Sequence, residues 1–224
     1  MPYYYGFDWT YLVLILPCMI FSMIASSRVN YTFQKYSQQY SQRRITGAEA
    51  ARRVLAHNGV SGVRIERVAG NLTDHYDPRT NVIRLSDSVY SSTSTAAIGV
   101  AAHEAGHAVQ YAVNYAPIKL RAAIIPLTNF GSKLAMPLIL AGILLTFLGS
   151  FSTLLVYLGI GAFALSFVFQ LITLPVEFDA SRRALAWLEQ SGLATRAMHG
   201  QAGTALRWAA MTYVSAALSS LAML

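Results

Sequence analysis

The stretch LAMPLILAGILLTFLGSFSTLLVYLGIGAFALSFVFQLITLPV, Leu134 to Val176, decides the class of this protein. It holds 43 residues and no Asp, Glu, Lys or Arg. About 20 apolar residues cross the hydrocarbon core as one helix, so the run is long enough for two crossings. Gly149-Ser150 lies near its middle and has turn chemistry. The expectation is a transmembrane helical hairpin over 124–174, with the first arm starting near Ile124 because Pro137 follows so closely on Leu134. A second uncharged run, Trp9–Ser27, includes Tyr11-Leu12-Val13-Leu14-Ile15-Leu16 and is also long enough to span. Pro17 is tolerated there as a kink. Residues 1–8 lack the Lys or Arg that opens a cleaved signal, so 9–27 is expected to remain as an N-terminal anchor. Tyr3-Tyr4-Tyr5, Phe7 and Trp9 read as an interfacial aromatic belt. Trp208–Leu224 is uncharged but rich in Ala, Ser and Thr; it is either a fourth span or a helix packed on the protein.

Composition agrees with a membrane protein. The chain of 224 residues is 54% hydrophobic and only 12% charged, with a mean hydropathy of +0.41. Soluble domains average roughly 25% charged residues. Disorder, a coiled coil and a collagen-like fibre are excluded, and an ordinary cytosolic globule is disfavoured. The single Cys18 rules out an internal disulfide framework. The net charge of +7 follows from asymmetry around the spans. No basic residue precedes the first span, whereas Arg28, Lys35, Arg43 and Arg44 follow it. Lys119, Arg121 and Lys133 precede the hairpin, and Arg182 and Arg183 follow it. The positive-inside rule puts all of these on the cytoplasmic side and the N-terminus outside. The basic flanks face anionic lipid heads. No interleaved aromatic and basic patch or finger motif points to nucleic acid.

Residues 28–117 are expected to form a cytoplasmic catalytic part. Thr46 and Glu49 make a capping box, and Gly59 stops the helix they start. Val63–Val68 and Asn81–Ser86 alternate like half-buried strands. With the turn residues Asp77-Pro78-Arg79-Thr80 between them, they predict a short antiparallel hairpin. Ser92-Thr93-Ser94-Thr95 offers N-caps for an Ala-rich helix over about 95–113.

That helix carries His103-Glu104-Ala105-Gly106-His107. Residues four apart share a helical face, so both imidazoles can bind one Zn²⁺. Glu104 beside them is the general base, taking the proton of the attacking water and passing it to the leaving amine. Catalytic zinc takes three protein ligands and keeps one open position. Glu177, just after the hairpin, is the candidate third ligand. Its separation from His107 is taken up by two crossings, and an even number returns the chain to its starting side. The plainer reading of Glu177 is a helix-start carboxylate favoured by the dipole. Asp179 either ligates the metal or orients a ligand histidine. His75 either faces the site to hold an oxyanion or substrate, or finishes a turn. Tyr213, or an arginine after the ligand helix, is a candidate oxyanion donor. An exposed edge on the strand Val82–Leu85 would take an extended peptide by strand addition.

These residues carry a resemblance. Asp74-His75-Tyr76-Asp77-Pro78-Arg79, Ile83 through Val109, Tyr115 through Arg121 and Leu174 through Ala184 resemble the YugP-type membrane zinc metallopeptidases, distant relatives of HtpX-like and CAAX prenyl proteases. The resemblance implies an integral membrane peptidase with ligands His103, His107 and Glu177, base Glu104, zinc as cofactor and a protein or peptide substrate. In the wider HtpX-like group an Asp follows the ligand Glu after three intervening residues; here that place is Ser181. The expected fold is a mainly α integral membrane protein with a small α+β zincin-like (gluzincin) catalytic domain. Residues 175–224 would supply the third-ligand helix and a C-terminal membrane-associated helix. Two other readings stand beside it. A site-2-type intramembrane protease would place the motif within a span, whereas charged residues closely flank this one. A non-enzymatic scaffold would close all four metal positions with protein, using Asp179 or His75 as the fourth.

Overall fold

The computed structural model describes residues 9–41, 44–192 and 195–224. The aromatic run Tyr3–Phe7 and Arg43 lie outside the described residues. In chain order the elements are α1 (Trp9–Ser37), α2 (Gly47–His57), β1 (Arg64–Val68), β2 (His75–Asp77) and β3 (Val82–Ser86), then α3 (Asp87–Tyr90), α4 (Thr95–Ala112), α5 (Ala116–Leu144), α6 (Ser150–Gln190) and α7 (Arg196–Ala222). Among the described residues three helices are long and apolar enough to cross a membrane: α1 from Leu12 to Ser37, α5 and α6. Helix α7 is not among them. It packs along α1 and α6.

Helices α5 and α6 form the hairpin. Gly149, at φ 60°, makes the reversal, and a short 3-10 turn at Thr146–Leu148 leads into it. The arms approach closely because small residues face each other: a Cβ on Gly159 would meet Ala135 O at 2.8 Å. Their outer faces carry large exposed apolar side chains, among them Phe130, Leu144, Phe147 and Tyr157. Such a surface is what a hydrocarbon solvent covers. The second arm does not end at the expected boundary near 174. Helix α6 runs unbroken through Pro175 for 41 residues, about 60 Å at 1.5 Å per residue. One rigid rod thus joins the apolar hairpin to Glu177, Asp179 and Ser181.

Helix α4 is the hub. Ser94 caps it, its side chain accepting from Ala97 N at 3.2 Å. The expected capping box starts α2 in part: Thr46 accepts from Glu49 N at 3.2 Å, while the Glu49 side chain pairs with Arg53 instead. Helix α4 packs against α2, α6 and α7, and its core partners include Val54, Leu55, Ile83, Leu85, Leu188 and Leu206.

The sheet corrects one expectation. Strands β1 and β3 pair in parallel, Arg64 opposite Val82 through Val68 opposite Ser86. The antiparallel partner of β3 is β2, and the order is β1-β3-β2. The sheet is therefore mixed, not an antiparallel hairpin of 63–68 and 81–86. The turn residues do turn: Asp77 accepts from Arg79 N at 3.0 Å and Thr80 Oγ1 at 2.7 Å. Such a tight turn joins only the strands that abut it, and the strand ending at Asp77 is β2. Strand β3 is filled on both sides, so the free edge beside the site belongs to β2 instead of Val82–Leu85.

Candidate metal centre

The site is made where α6 crosses α4. Gly106 permits the crossing: a Cβ there would meet Ala180 O at 2.8 Å. Across this contact α4 presents His103 and His107, one turn apart, with ring centroids 4.7 Å apart and planes at 80°. Helix α6 presents Glu177 from the other side. Its Oε2 lies 3.3 Å from His103 Nε2 and 3.6 Å from His107 Nε2. One donor atom from each of the three residues falls within 4.8 Å of the others.

This arrangement fits a zinc ion. Two donors bound tetrahedrally at 2.0–2.1 Å are themselves about 3.3–3.4 Å apart, which matches the observed spacings. The imidazoles are also set to offer Nε2. Gln110, fully buried, donates its Nε2 to Val176 O at 2.8 Å and to Asp179 Oδ2 at 2.9 Å. Both partners are acceptors, so the amide cannot be reversed. Its Oε1 therefore faces His107 Nδ1 at 3.0 Å and accepts the ring proton. That leaves the His107 Nε2 lone pair directed at Glu177. His103 Nδ1 is engaged by Ser181 Oγ at 3.1 Å. The remaining Glu177 oxygen, Oε1, is 3.4 Å from Arg121 Nη1 on α5. Arg121 Nε is buried without a partner.

The charge balance agrees. Burial opposes a charged His107, yet Glu177, Glu104 and the Gln110 bond outweigh it and raise its pKa. Asp74, on the approach to β2, is capped by Ser86 N at 2.7 Å and Ser86 Oγ at 2.9 Å. Burial pushes its carboxyl up; the Ser86 bonds oppose this and the nearby Glu104 charge adds to it.

The residues singled out by sequence fall as follows. His103, His107 and Glu177 come together, and Glu104 lines the cavity they face. Asp179 does not join them. Its carboxylate is taken by Gln110, Arg182 and Arg183, so it reaches His107 only through the Gln110 amide. His75 walls the cavity and is bonded through Nδ1 to Thr73 O at 2.8 Å. Tyr213 also faces the cavity, with its hydroxyl against Glu177. Arg182 and Arg183, on α6 with Glu177, are spent on Asp179, and the arginine that enters the site is Arg121. Gln110, Ser181, Arg121 and Asp74 are not named as site residues in the sequence reading. Gln110, three residues past His107, and Ser181, four past Glu177, share a helix face with a ligand candidate, and that spacing is a usable signal. Arg121 and Asp74 have no local signal.

Comparison with known proteins agrees with this geometry. A family model described as "Putative neutral zinc metallopeptidase" matches residues 11–224. The "Putative membrane protease YugP" of Bacillus subtilis (strain 168) is 44% identical over 211 residues, covering 94% of this chain and 92% of that protein. No solved structure matches. With nearly its whole length matched, and with a largely buried His-His-Glu cluster that fits zinc, the chain belongs to this family of neutral zinc metallopeptidases.

Proposed function

We propose that the protein is a membrane-embedded zinc metalloendopeptidase of gluzincin type, in which His103, His107 and Glu177 hold the metal and Glu104 is the general base. The observation that carries the reading is the convergence of two imidazole Nε2 atoms on one Glu177 oxygen at tetrahedral spacing. Zinc, when bound there, acidifies water and polarises the scissile carbonyl.

The remaining work belongs to the chain. Glu104 is on the same helix as the two histidines and walls the cavity, so it takes the proton of the attacking water and returns it to the leaving amine. Gln110 and Ser181 fix the imidazoles, and Arg121 fixes the Glu177 carboxylate. The Tyr213 hydroxyl and the Arg121 guanidinium are the donors beside the reacting carbonyl, placed to steady a developing oxyanion. Asp179 is taken by one buried amide and two arginines, and neither it nor His75 belongs to the group of donor atoms that lie within 4.8 Å of one another. That supports an open, catalytic position over a closed structural one.

The reading extends to location. An anchor at 9–27, a zincin-like catalytic part at 28–117, a spanning hairpin at 124–174 and a returning segment at 175–224 put the basic flanks and the centre on the cytoplasmic face. The Bacillus relative's name as a membrane protease supports a multi-pass protein of the bacterial plasma membrane. The substrates are then membrane or membrane-proximal proteins. The test is proteolysis of a susceptible membrane substrate by purified protein. Glu104→Gln is expected to lower the rate about 10²–10⁴-fold with zinc retained. Full activity in that variant contradicts the reading.

A further inference from the structure

Two cavities meet at the centre. The first, about 230 Å³, lies among β2, α4 and α5 and presents Arg121, His75, Tyr76 and Tyr111. The second, about 220 Å³, lies among α1, α4 and α7. Its own walls are Ala210, Ser181 and Thr212 together with five apolar side chains, Val29, Leu72, Val100, Leu206 and Ala209. A narrower recess of about 60 Å³ shares these five walls and ends against Phe33. His103, Glu104, Glu177, Asp74 and Tyr213 border both larger cavities. The centre is thus a partition between a chamber that adds Arg121 to the shared carboxylates and one that adds mainly apolar walls.

We propose that the second cavity is the specificity subsite for an apolar side chain of the substrate, adjacent to the scissile bond; this rests on the peptidase reading of the centre. A polypeptide attacked beside Glu104 has residues on both sides of the reacting carbonyl. The chambers flank that point, so successive residues enter different chambers. A cavity of about 150 Å³ accepts a benzene ring, so this one holds a leucine or phenylalanine side chain. An acidic side chain is excluded twice. It loses hydration against five apolar walls, and the charged groups it meets at the shared border include the carboxylates of Asp74, Glu104 and Glu177. The cation that would welcome it, Arg121, faces the other chamber.

Leu72 adds a second observation. It lies on the loop between β1 and β2 at φ 56°, a conformation a leucine rarely adopts. In that conformation its side chain is a wall of both apolar cavities while 42% exposed. A branched apolar residue is kept where the backbone favours glycine, at the lip of the subsite.

The test separates binding from chemistry. Zinc-loaded Glu104→Gln protein in detergent is titrated with fluorescein-labelled Gly/Ser dodecapeptides carrying one Leu, or one Asp, at each position in turn. Binding is read by anisotropy. At one position Leu is expected to bind at least about tenfold more tightly than Asp, the scale of discrimination by an apolar pocket. Adding Ala209→Trp, which fills the cavity from α7, is expected to reduce that ratio below threefold with zinc content unchanged. Val100→Phe fills it from α4 and gives the same result if the first variant fails to fold. Equal binding of Leu and Asp peptides, no binding of either, or a ratio that survives both fillings overturns the proposal. Cleavage by the wild-type protein, lost in Glu104→Gln, is scored in parallel and decides the peptidase reading by itself.

Discussion

Fourteen of the 18 residues of α4 are buried, against four of the 29 in α5. Both helices are apolar, and both would pass a simple test for hydrophobicity. They differ in the size of what they turn inward and outward. Helix α4 is dominated by Ala and Gly, so neighbouring helices approach its axis from several sides, and its polar residues His107, Glu104 and Gln110 are enclosed. Helices α5 and α6 turn Gly and Ala toward each other and Leu, Phe and Ile outward. Small residues throughout a helix make a hub in protein; small residues on one stripe with large ones around it make a pair in lipid. The histidine pair is on the hub, and the hairpin brings Glu177 to it.

The comparison breaks most readily on the outer face of the hairpin. Leu158 is half exposed on α6, inside the uncharged run. If lipid covers it, Leu158→Arg costs about 2.5–3.5 kcal/mol of insertion, read as a fall in the membrane-integrated fraction in an insertion assay. If water covers it, the substitution stays within about 0.5 kcal/mol, as exposed replacements do. The hub is tested at Gly106. Gly106→Val puts carbon against Ala180 O where only 2.8 Å is available. It should push α4 and α6 apart, destabilise the protein by about 1–3 kcal/mol and release zinc. A valine variant with wild-type melting temperature and metal content would mean that the close crossing does not build the centre.

A finer distinction concerns the enclosed polar groups. Gln110→Leu preserves volume but removes the acceptor for His107 Nδ1 and a donor to Asp179. Zinc affinity should fall about 10–100-fold, as when the supports of metal ligands are removed, and competition with a chelator measures it. Gln110→Glu keeps an acceptor at His107 but loses the donor to two acceptors, so it should recover affinity only in part.

Much of this was legible in the sequence because the signals were local. A charge-free run, a histidine pair at helical spacing and a capping threonine are each written within one element. Glu177 was legible for a less local reason: a hairpin of two long helices returns the chain to the end where it began, as α5 and α6 do. The strand pairing was not legible, because β1 and β3 are equally alternating whether parallel or antiparallel, and the three-residue β2 is too short to show a period. Asp179 illustrates another limit. Proximity in sequence to Glu177 pointed to a ligand histidine, but the carboxylate points at Arg182, Arg183 and the Gln110 amide. Arg121 was read as a flank of the hairpin, and only the packing of α5 on α6 turns it to Glu177. Residues whose partners come from a different helix leave no trace in the local pattern.

The central claim is that the hairpin returns Glu177 to the two histidines to complete a metal centre, and zinc bound per chain tests it most directly. After purification and dialysis against a weak chelator, the wild-type protein should retain about one zinc per chain, and Glu177→Gln should retain little under the same conditions. Equal zinc in the two proteins would show that α6 brings no ligand, and the account would fail.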